Sequence, residues 1–268
     1  MSMFTGCGTA IVTPFKSDGS LDEETLRKLI QRQIEGGVHF LVPCGTTGES
    51  PTLTRNEHLR VVAITVEEAK GKVPVVAGAG GYNTAEVIEL AEEVETLGVD
   101  GILSVTPYYN KPTQDGLFFH YKAIAQAVDV PIVIYSVAGR TGVNVEPATL
   151  QRLSEIENIV AVKEASGSLA QMTRIRALAP DLTLLSGDDI LTSAVLGIGG
   201  KGIISVASNV VPKEMSQLAE TNDMAITGRL VPLMDVLFIE SNPIPVKAAM
   251  AMMGLLEPVW RLPMCAPT

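Results

Sequence analysis

The chain has 268 residues, of which 46% are hydrophobic, and its formal net charge is -10 at pH 7. This length fits one (β/α)8 barrel or two ordinary domains, and the apolar content is ample for one large core. The acidic balance disfavours a nucleic-acid-binding protein, which would present a basic face, and no apolar run is long enough for a membrane span.

Eight short apolar runs recur along the chain and predict β-strands. They are apolar almost throughout rather than alternating, which is typical of parallel strands covered on both faces. The predicted strands span residues 9–13, 39–42, 74–77, 101–105, 131–135, 159–163, 183–185 and 202–206.

Amphipathic segments lie between these runs and predict helices. The first begins at Asp22 and ends before Gly36, which are ordinary start and stop signals. The predicted helices span residues 22–35, 56–69, 84–97, 117–127, 146–153, 169–178, 190–196 and 212–219, with two more at 225–240 and 245–256.

This alternation predicts a TIM barrel over residues 1–222, followed by a small helical region over residues 223–268. The alternative is a doubly wound open sheet. That fold would want a glycine-rich phosphate turn after the first strand, and residues 13–16 read Thr-Pro-Phe-Lys.

The active site of such a barrel lies at the carboxyl ends of its strands, and the unusual segments of the chain converge there. Tyr135 and Lys163 end the fifth and sixth predicted strands. Residues 139–142 lie just beyond Tyr135, and loops at residues 45–50, 78–81, 106–110 and 187–189 follow the second, third, fourth and seventh predicted strands.

Lys163 is the central candidate because it closes an apolar run and would point into the barrel mouth. Apolar walls disfavour the ammonium form and favour a neutral, nucleophilic amine that can form a Schiff base. A buried ion pair or a phosphate-binding lysine are the alternatives.

Four further side chains suit the same chemistry. The phenol of Tyr135 could relay protons, and the turn with Thr46 and Thr47 offers hydroxyl and N–H groups to a carboxylate. Arg140 is a planar cation on a loop, suited to a second carboxylate. Each also has an ordinary explanation: a barrel-lining tyrosine, a turn needed for its geometry, and a surface ion pair.

The remaining reactive residues do not support a metal enzyme or a secreted protein. The three histidines and the three cysteines lack the spacing of metal ligands, and the cysteines form no disulfide framework. The first residues lack the basic and apolar regions of a signal peptide. We therefore expect a cytoplasmic protein that needs no metal.

Four motifs together resemble the dihydrodipicolinate synthase family of the class I pyruvate aldolase superfamily. They are Gly45-Thr46-Thr47-Gly48-Glu49, Tyr108-Tyr109-Asn110-Lys111-Pro112, Tyr135 with Gly139-Arg140-Thr141-Gly142, and Val162-Lys163-Glu164-Ala165-Ser166-Gly167. The resemblance runs from about residue 6 to residue 263. The Gly-Arg-Thr-Gly loop favours this family over N-acetylneuraminate lyase, which lacks that arginine.

The resemblance implies a condensation of pyruvate with aspartate β-semialdehyde, the first step of the diaminopimelate route to lysine, with no metal or organic cofactor. It implies a Schiff base on Lys163 and a proton relay of Tyr135, Thr46 and Tyr109, the last supplied by the partner in a tight dimer. It also implies a homotetramer built from such dimers. The implied substrate-binding residues are Thr47, Arg140, Gly187 and Ile204, and those implied for lysine feedback are His58, Glu86 and Tyr108.

The chain departs from the family at two places. Ser136 and Ala138 stand where the family has asparagine and proline, which bears on the pocket for the aldehyde. Arg55 and Tyr82 replace a histidine and an asparagine of lysine-inhibited relatives. One alternative therefore stays open, a related pyruvate aldolase or lyase acting on another aldehyde or 2-keto acid. A non-catalytic metabolite-binding barrel is an alternative of a different class, and the intact set of Lys163, Tyr135 and Thr46 argues against it.

Overall fold

The computed structural model describes residues 4–268, in which eight strands alternate with helices. The strands are β1 (Gly6–Ala10), β2 (Phe40–Val42), β3 (Val76–Gly78), β4 (Gly101–Val105), β5 (Ile132–Ser136), β6 (Ile159–Glu164), β7 (Thr183–Ser186) and β8 (Gly202–Ser205). The helices are α1 (Glu23–Glu35), α2 (Arg55–Ala69), α3 (Thr84–Thr96), α4 (Gln114–Ala127), α5 (Ala138–Thr141), α6 (Pro147–Leu153), α7 (Leu169–Leu178), α8 (Thr192–Gly197), α9 (Pro212–Thr221), α10 (Met224–Val236) and α11 (Ile244–Met252).

The eight strands form one parallel sheet that curls into a barrel. Their order is β2-β1-β8-β7-β6-β5-β4-β3, so β2 and β3 are the two ends. A parallel bridge between Leu41 and Val75 joins these ends, and the Gly78 N–H donates to the Pro43 carbonyl at 2.9 Å. The predicted TIM barrel with C-terminal helices is therefore confirmed.

The prediction for the first strand was wrong by three residues. The strand covers Gly6–Ala10 rather than residues 9–13. A Cβ atom on Gly6 would lie 2.4 Å from the His39 ring, and one on Gly8 would lie 2.1 Å from the Phe40 ring. The glycines are there because β2 packs closely against them, a tertiary requirement that outweighs the low strand propensity of glycine.

Most helix boundaries agree with the prediction within a few residues, and the exceptions have local causes. Helix α4 starts three residues early because the Thr113 hydroxyl caps the Gly116 N–H. The predicted helix at 190–196 begins as a 3-10 turn at Asp189–Leu191. The short helix α5 was not predicted, because four residues are too few to show a helical period.

Two apolar layers surround the strands. The inner cluster fills the barrel and includes Phe40, Leu103, Val133, Leu185 and Ile204. The outer cluster lies between the strands and the helices and reaches from α1 to α11. This double coverage is why the strands are apolar on both faces.

Helices α10 and α11 pack against the barrel and contribute to the same outer cluster through Ile226, Leu230, Val246 and Met250. They end earlier than predicted, at Val236 and Met252. The division of the chain at residue 222 stays a prediction. None of the helices within residues 4–268 is long and apolar enough to cross a membrane.

Arg261 ties the C-terminal segment to the barrel mouth. Its guanidinium donates to both carboxylate oxygens of Glu57, to the Thr52 carbonyl, and twice to the Gly19 carbonyl. It also lies 4.2 Å from the ring centre of Phe15. The Arg261 guanidinium lowers the pKa of Glu57 from 4.5 to about 2. A bidentate pair with every donor used is the strong form of such a contact.

We predict that Arg261→Met lowers the free energy of unfolding by about 2 kcal/mol at pH 7, or Tm by roughly 4–8 °C. The depressed pKa of Glu57 means that this contribution is present above pH 4.5 and is lost as the pH falls towards about 2. Thermal unfolding should show the gap between wild type and variant narrowing over that range. Arg229→Met, at an exposed position of α10, is the control. A gap that stays constant with pH would contradict the assignment.

Candidate active site

Lys163 lies near the end of β6 with only 5% of its surface exposed. Its Nζ atom is 4.1 Å from the ring centre of Tyr135, which is itself buried. The two residues are register partners in the pairing of β5 with β6, so they stand at the same level of the barrel. Below them lie the side chains of the inner apolar cluster. The site therefore holds an amine and a phenol side by side, both of them buried.

Two acidic residues follow β7 close to this amine. Burial raises the pKa of Asp188, whereas the charge of Lys163 lowers it. Burial also raises the pKa of Asp189. The Asp189 carboxylate is already occupied, because it accepts hydrogen bonds from the Ser205 hydroxyl and from the Val206 and Ala207 N–H groups. Asp189 thus holds the β8 loop, and the charge of Lys163 lowers the pKa of both acids against the effect of burial.

The turn after β2 carries Thr46 and Thr47. Thr46 lines a cavity of about 140 Å³ together with Tyr135, whereas Thr47 is buried and its Oγ1 accepts a hydrogen bond from Asn242 Nδ2 at 2.9 Å. The N–H groups of Thr46 and Thr47 donate to no backbone acceptor among residues 4–268. Free N–H and hydroxyl donors on one turn are suited to a carboxylate.

A buried ion pair holds the end of this turn. Glu49 has a left-handed backbone, with φ of 53°, and its carboxylate accepts from Lys247 Nζ at 2.5 Å. Both side chains are almost fully buried, and Lys247 also lies 4.5 Å from the ring centre of Phe15. Burial lowers the pKa of Lys247, and the neighbouring Glu49 opposes that effect.

The sequence reasoning did not identify Asn242 or Lys247. Lys247 is the single charged residue in the otherwise apolar helix α11, and that contrast was an available signal. Asn242 carried no comparable signal, because its partner Thr47 lies 195 positions away in the sequence.

Arg140 lies on the one-turn helix α5 after β5 and is exposed. Its Nη2 atom donates to the main-chain carbonyl of Asn242 at 3.0 Å, and the two residues line an open recess with Phe238. The next residue, Thr141, donates through its hydroxyl to the Val143 carbonyl and anchors the loop. Arg140 is therefore a cation at the rim of the mouth rather than in the Lys163 pocket.

Ser136 and Ala138, where the chain departs from the family pattern, come shortly before Arg140. The Ser136 hydroxyl accepts a hydrogen bond from the Val145 N–H at 3.2 Å, which closes the loop at its base. Ala138 is the first residue of α5, a position that proline fits because its N–H has no partner within the helix. Alanine there leaves the helix intact and makes its start less rigid.

Gly187 directly follows β7, and Ile204 lies on β8. A Cβ atom on Gly187 would come within 2.5 Å of the Ala165 side chain, so only glycine fits, and its N–H donates to the Glu164 carbonyl. Ile204 is fully buried on β8 within the inner cluster that also contains Tyr135.

Tyr109 does not enter the pocket of its own chain. It is 90% exposed and has a left-handed backbone, with φ of 71°. The neighbouring Tyr108 instead packs edge-on against Tyr82, with ring centres 5.2 Å apart. A lid in which both rings fold back over their own barrel is therefore not observed.

Two of the three residues named for feedback, His58 and Tyr108, line the cavity that Thr46 and Tyr135 also line. His58 Nε2 donates to the Gly78 carbonyl at 2.8 Å, and burial lowers its pKa. Glu86 is exposed outside this lining and accepts from Asn83 Nδ2. Burial raises the pKa of Tyr108, and the nearby Tyr82 and Glu86 add to that shift.

Known proteins are similar to this chain over nearly its whole length. Residues 3–268 match the model of the Dihydrodipicolinate synthetase family. The 4-hydroxy-tetrahydrodipicolinate synthase of Koribacter versatilis (strain Ellin345) is 57% identical over 97% of this chain and 89% of its own length.

Two solved structures are similar over nearly the whole chain. Dihydrodipicolinate synthase from Thermotoga maritima superimposes with a TM-score of 0.97 at 46% identity, covering 100% of this chain and 94% of that one. The chloride-inhibited enzyme from Acinetobacter baumannii, complexed with pyruvate, gives 0.96 at 43% identity, covering 98% and 94%. The synthase activity expected from the sequence is confirmed by these full-length similarities, and this chain belongs to the dihydrodipicolinate synthetase family.

Proposed function

We propose that the synthase activity of this chain depends on a Schiff base between Lys163 and pyruvate, with aspartate β-semialdehyde as the second substrate. The observation that carries the proposal is the position of the Lys163 amine, which is buried and lies over the Tyr135 ring, 4.1 Å from its centre. The similar enzyme from Acinetobacter baumannii has been crystallised with pyruvate, which supports pyruvate as the first substrate.

The amine of Lys163 attacks the C2 carbonyl of pyruvate, and loss of water gives the imine. Tyr135 passes the protons that the carbinolamine gains and loses, and Thr46 and Tyr109 extend this relay. Loss of a proton from the methyl group then forms the enamine. Its carbon attacks the aldehyde of the second substrate, and that substrate's amine afterwards closes the ring on C2 and releases Lys163.

The carboxylates of the two substrates are bound by two different groups of hydrogen-bond donors. Thr47, with the free N–H groups of its turn, holds the carboxylate of pyruvate beside Lys163. Arg140, at the rim, receives the carboxylate of the incoming aldehyde. Gly187 and Ile204 line the pocket between them through their backbone, and no metal or organic cofactor takes part.

The exposed Tyr109 supports an assembly in which two chains exchange this residue. An exposed tyrosine beside Tyr82 and Tyr108 is typical of an interface centre. We propose a tight dimer, paired again into a tetramer, acting in the cytoplasm. We also propose that His58, Tyr108 and Glu86 form a site at which lysine regulates the enzyme.

We predict that pyruvate with borohydride adds one reduced pyruvate to Lys163. The amine of Lys163 is buried, and no carboxylate among residues 4–268 lies within hydrogen-bonding distance of it. Peptide mass mapping locates the label. Lys247 is the built-in control, since it is equally buried but occupied by Glu49. Label on Lys247, or no label at all, would contradict the proposed mechanism.

We predict that Arg140→Ala raises KM for aspartate β-semialdehyde by about 10- to 100-fold and leaves KM for pyruvate nearly unchanged, because a charged hydrogen bond to one substrate is lost. Steady-state kinetics with each substrate varied in turn measures both. Arg174→Ala, at an exposed position of α7, should change neither. An unchanged KM for the aldehyde would remove Arg140 from the site.

We predict that Lys163→Ala and Tyr109→Phe subunits, each nearly inactive alone, regain roughly a quarter of wild-type activity when mixed and reassembled, because half of the dimers are mixed and one of their two sites is intact. The control mixture replaces Tyr109→Phe by Tyr135→Phe. It should stay inactive, because Tyr135 and Lys163 belong to the same barrel. No recovery despite proven subunit exchange would show that Tyr109 acts within its own chain or not at all.

A further inference from the structure

One residue outside the barrel contacts both of the residues that we assign to carboxylates. Asn242 lies between α10 and α11 and is 95% buried, with 5% of its surface exposed. Its side-chain Nδ2 donates to Thr47 Oγ1 at 2.9 Å, and its main-chain carbonyl accepts from Arg140 Nη2 at 3.0 Å.

The contact with Thr47 determines what that hydroxyl can do. A hydroxyl group has one proton and two lone pairs, whereas an amide nitrogen only donates. Because Asn242 Nδ2 donates to Thr47 Oγ1, the threonine uses a lone pair there and keeps its proton for another acceptor. A carboxylate of bound pyruvate beside Lys163 is such an acceptor.

Stability does not explain an amide at this position. Asn242 Oδ1 is buried and has no hydrogen-bond partner within residues 4–268. An unpartnered buried oxygen is unfavourable, and an apolar side chain of similar size would avoid it. The amide is explained if its nitrogen, Nδ2, is needed as a hydrogen-bond donor to Thr47 Oγ1.

The surrounding contacts keep the amide in place. Lys247, five positions further on, is paired with Glu49, which is two positions after Thr47. The segment with Asn242 and the turn with Thr47 are therefore joined at two points, one neutral and one charged. Asn242 is held at a defined distance from the Thr47 hydroxyl.

We propose that Asn242 is a positioning residue that orients the Thr47 hydroxyl so that its proton is donated to the carboxylate of pyruvate. This inference rests on the role proposed above for Thr47. Asn242 would then affect pyruvate binding only indirectly, through its hydrogen bond to the Thr47 hydroxyl.

A double-mutant cycle tests the proposal, with pyruvate KM, kcat and Tm measured for Asn242→Leu, Thr47→Val and the double variant. We expect Asn242→Leu to raise pyruvate KM about tenfold in the wild-type background, the value of one hydrogen bond, and less than about twofold in the Thr47→Val background. If the role of Asn242 were merely structural, Asn242→Leu would raise pyruvate KM by the same factor in both backgrounds. Ser241→Ala, the exposed neighbour, should leave pyruvate KM unchanged.

Asn242→Asp decides the matter if Asn242→Leu does not fold. Its shape is retained, but a carboxylate only accepts, so the Thr47 proton would turn towards it and pyruvate KM should rise at least as far as in the leucine variant. Equal factors in the two backgrounds, or a wild-type KM in Asn242→Asp, would overturn the inference. If Thr47→Val keeps the wild-type KM for pyruvate, the role of Thr47 in the proposed function is wrong as well. If Thr47→Val raises that KM and the Asn242 variants do not, only the inference about Asn242 fails.

Discussion

The pairing of β5 with β6 is the constraint on which the active site depends. It sets Tyr135 beside Lys163, and a slip of one residue would turn one of the two side chains out of the barrel. Such a slip is prevented because both faces of these strands are buried, the inner face by the barrel cluster and the outer face by the helices. The same packing that gives the fold its stability therefore also fixes the distance between amine and phenol.

The charges around this pair are arranged by depth. Lys163 lies buried in the mouth, Asp188 is half-buried after β7, and Arg140 stands exposed at the rim. Electrostatic interactions strengthen where water is excluded, so an amine at depth and a guanidinium at the rim are suited to different tasks. The inner residue suits covalent chemistry and the outer one suits the capture of an incoming anion.

The turn with Thr46 and Thr47 depends on residues from the far end of the chain. Lys247 and Glu49 form a buried ion pair, and such pairs add little net stability because both charges lose their hydration. Removing one partner is nonetheless costly, about 3–5 kcal/mol, because the other charge is left buried and uncompensated. The pair therefore acts mainly to specify one conformation of the turn, including the left-handed Glu49. The C-terminal helices are thus part of the active site's support, although none of them carries a residue of the proposed relay.

The sequence by itself determined the barrel, the family and the side chains at the mouth, because these are written in local patterns: apolar runs of strand length, amphipathic segments between them, and short motifs at strand ends. It placed β1 three residues too late, because the glycines at positions 6 and 8 are required by the rings of His39 and Phe40 across the sheet. Only the tertiary structure revealed Asn242 and Lys247, whose partners lie 195 and 198 positions away. It also decided that Tyr109 is exposed rather than packed over its own barrel. The physical reason is the same in each case: the spacing of residues along the chain encodes how a segment folds, whereas a hydrogen bond or ion pair between distant segments exists only after the barrel has closed.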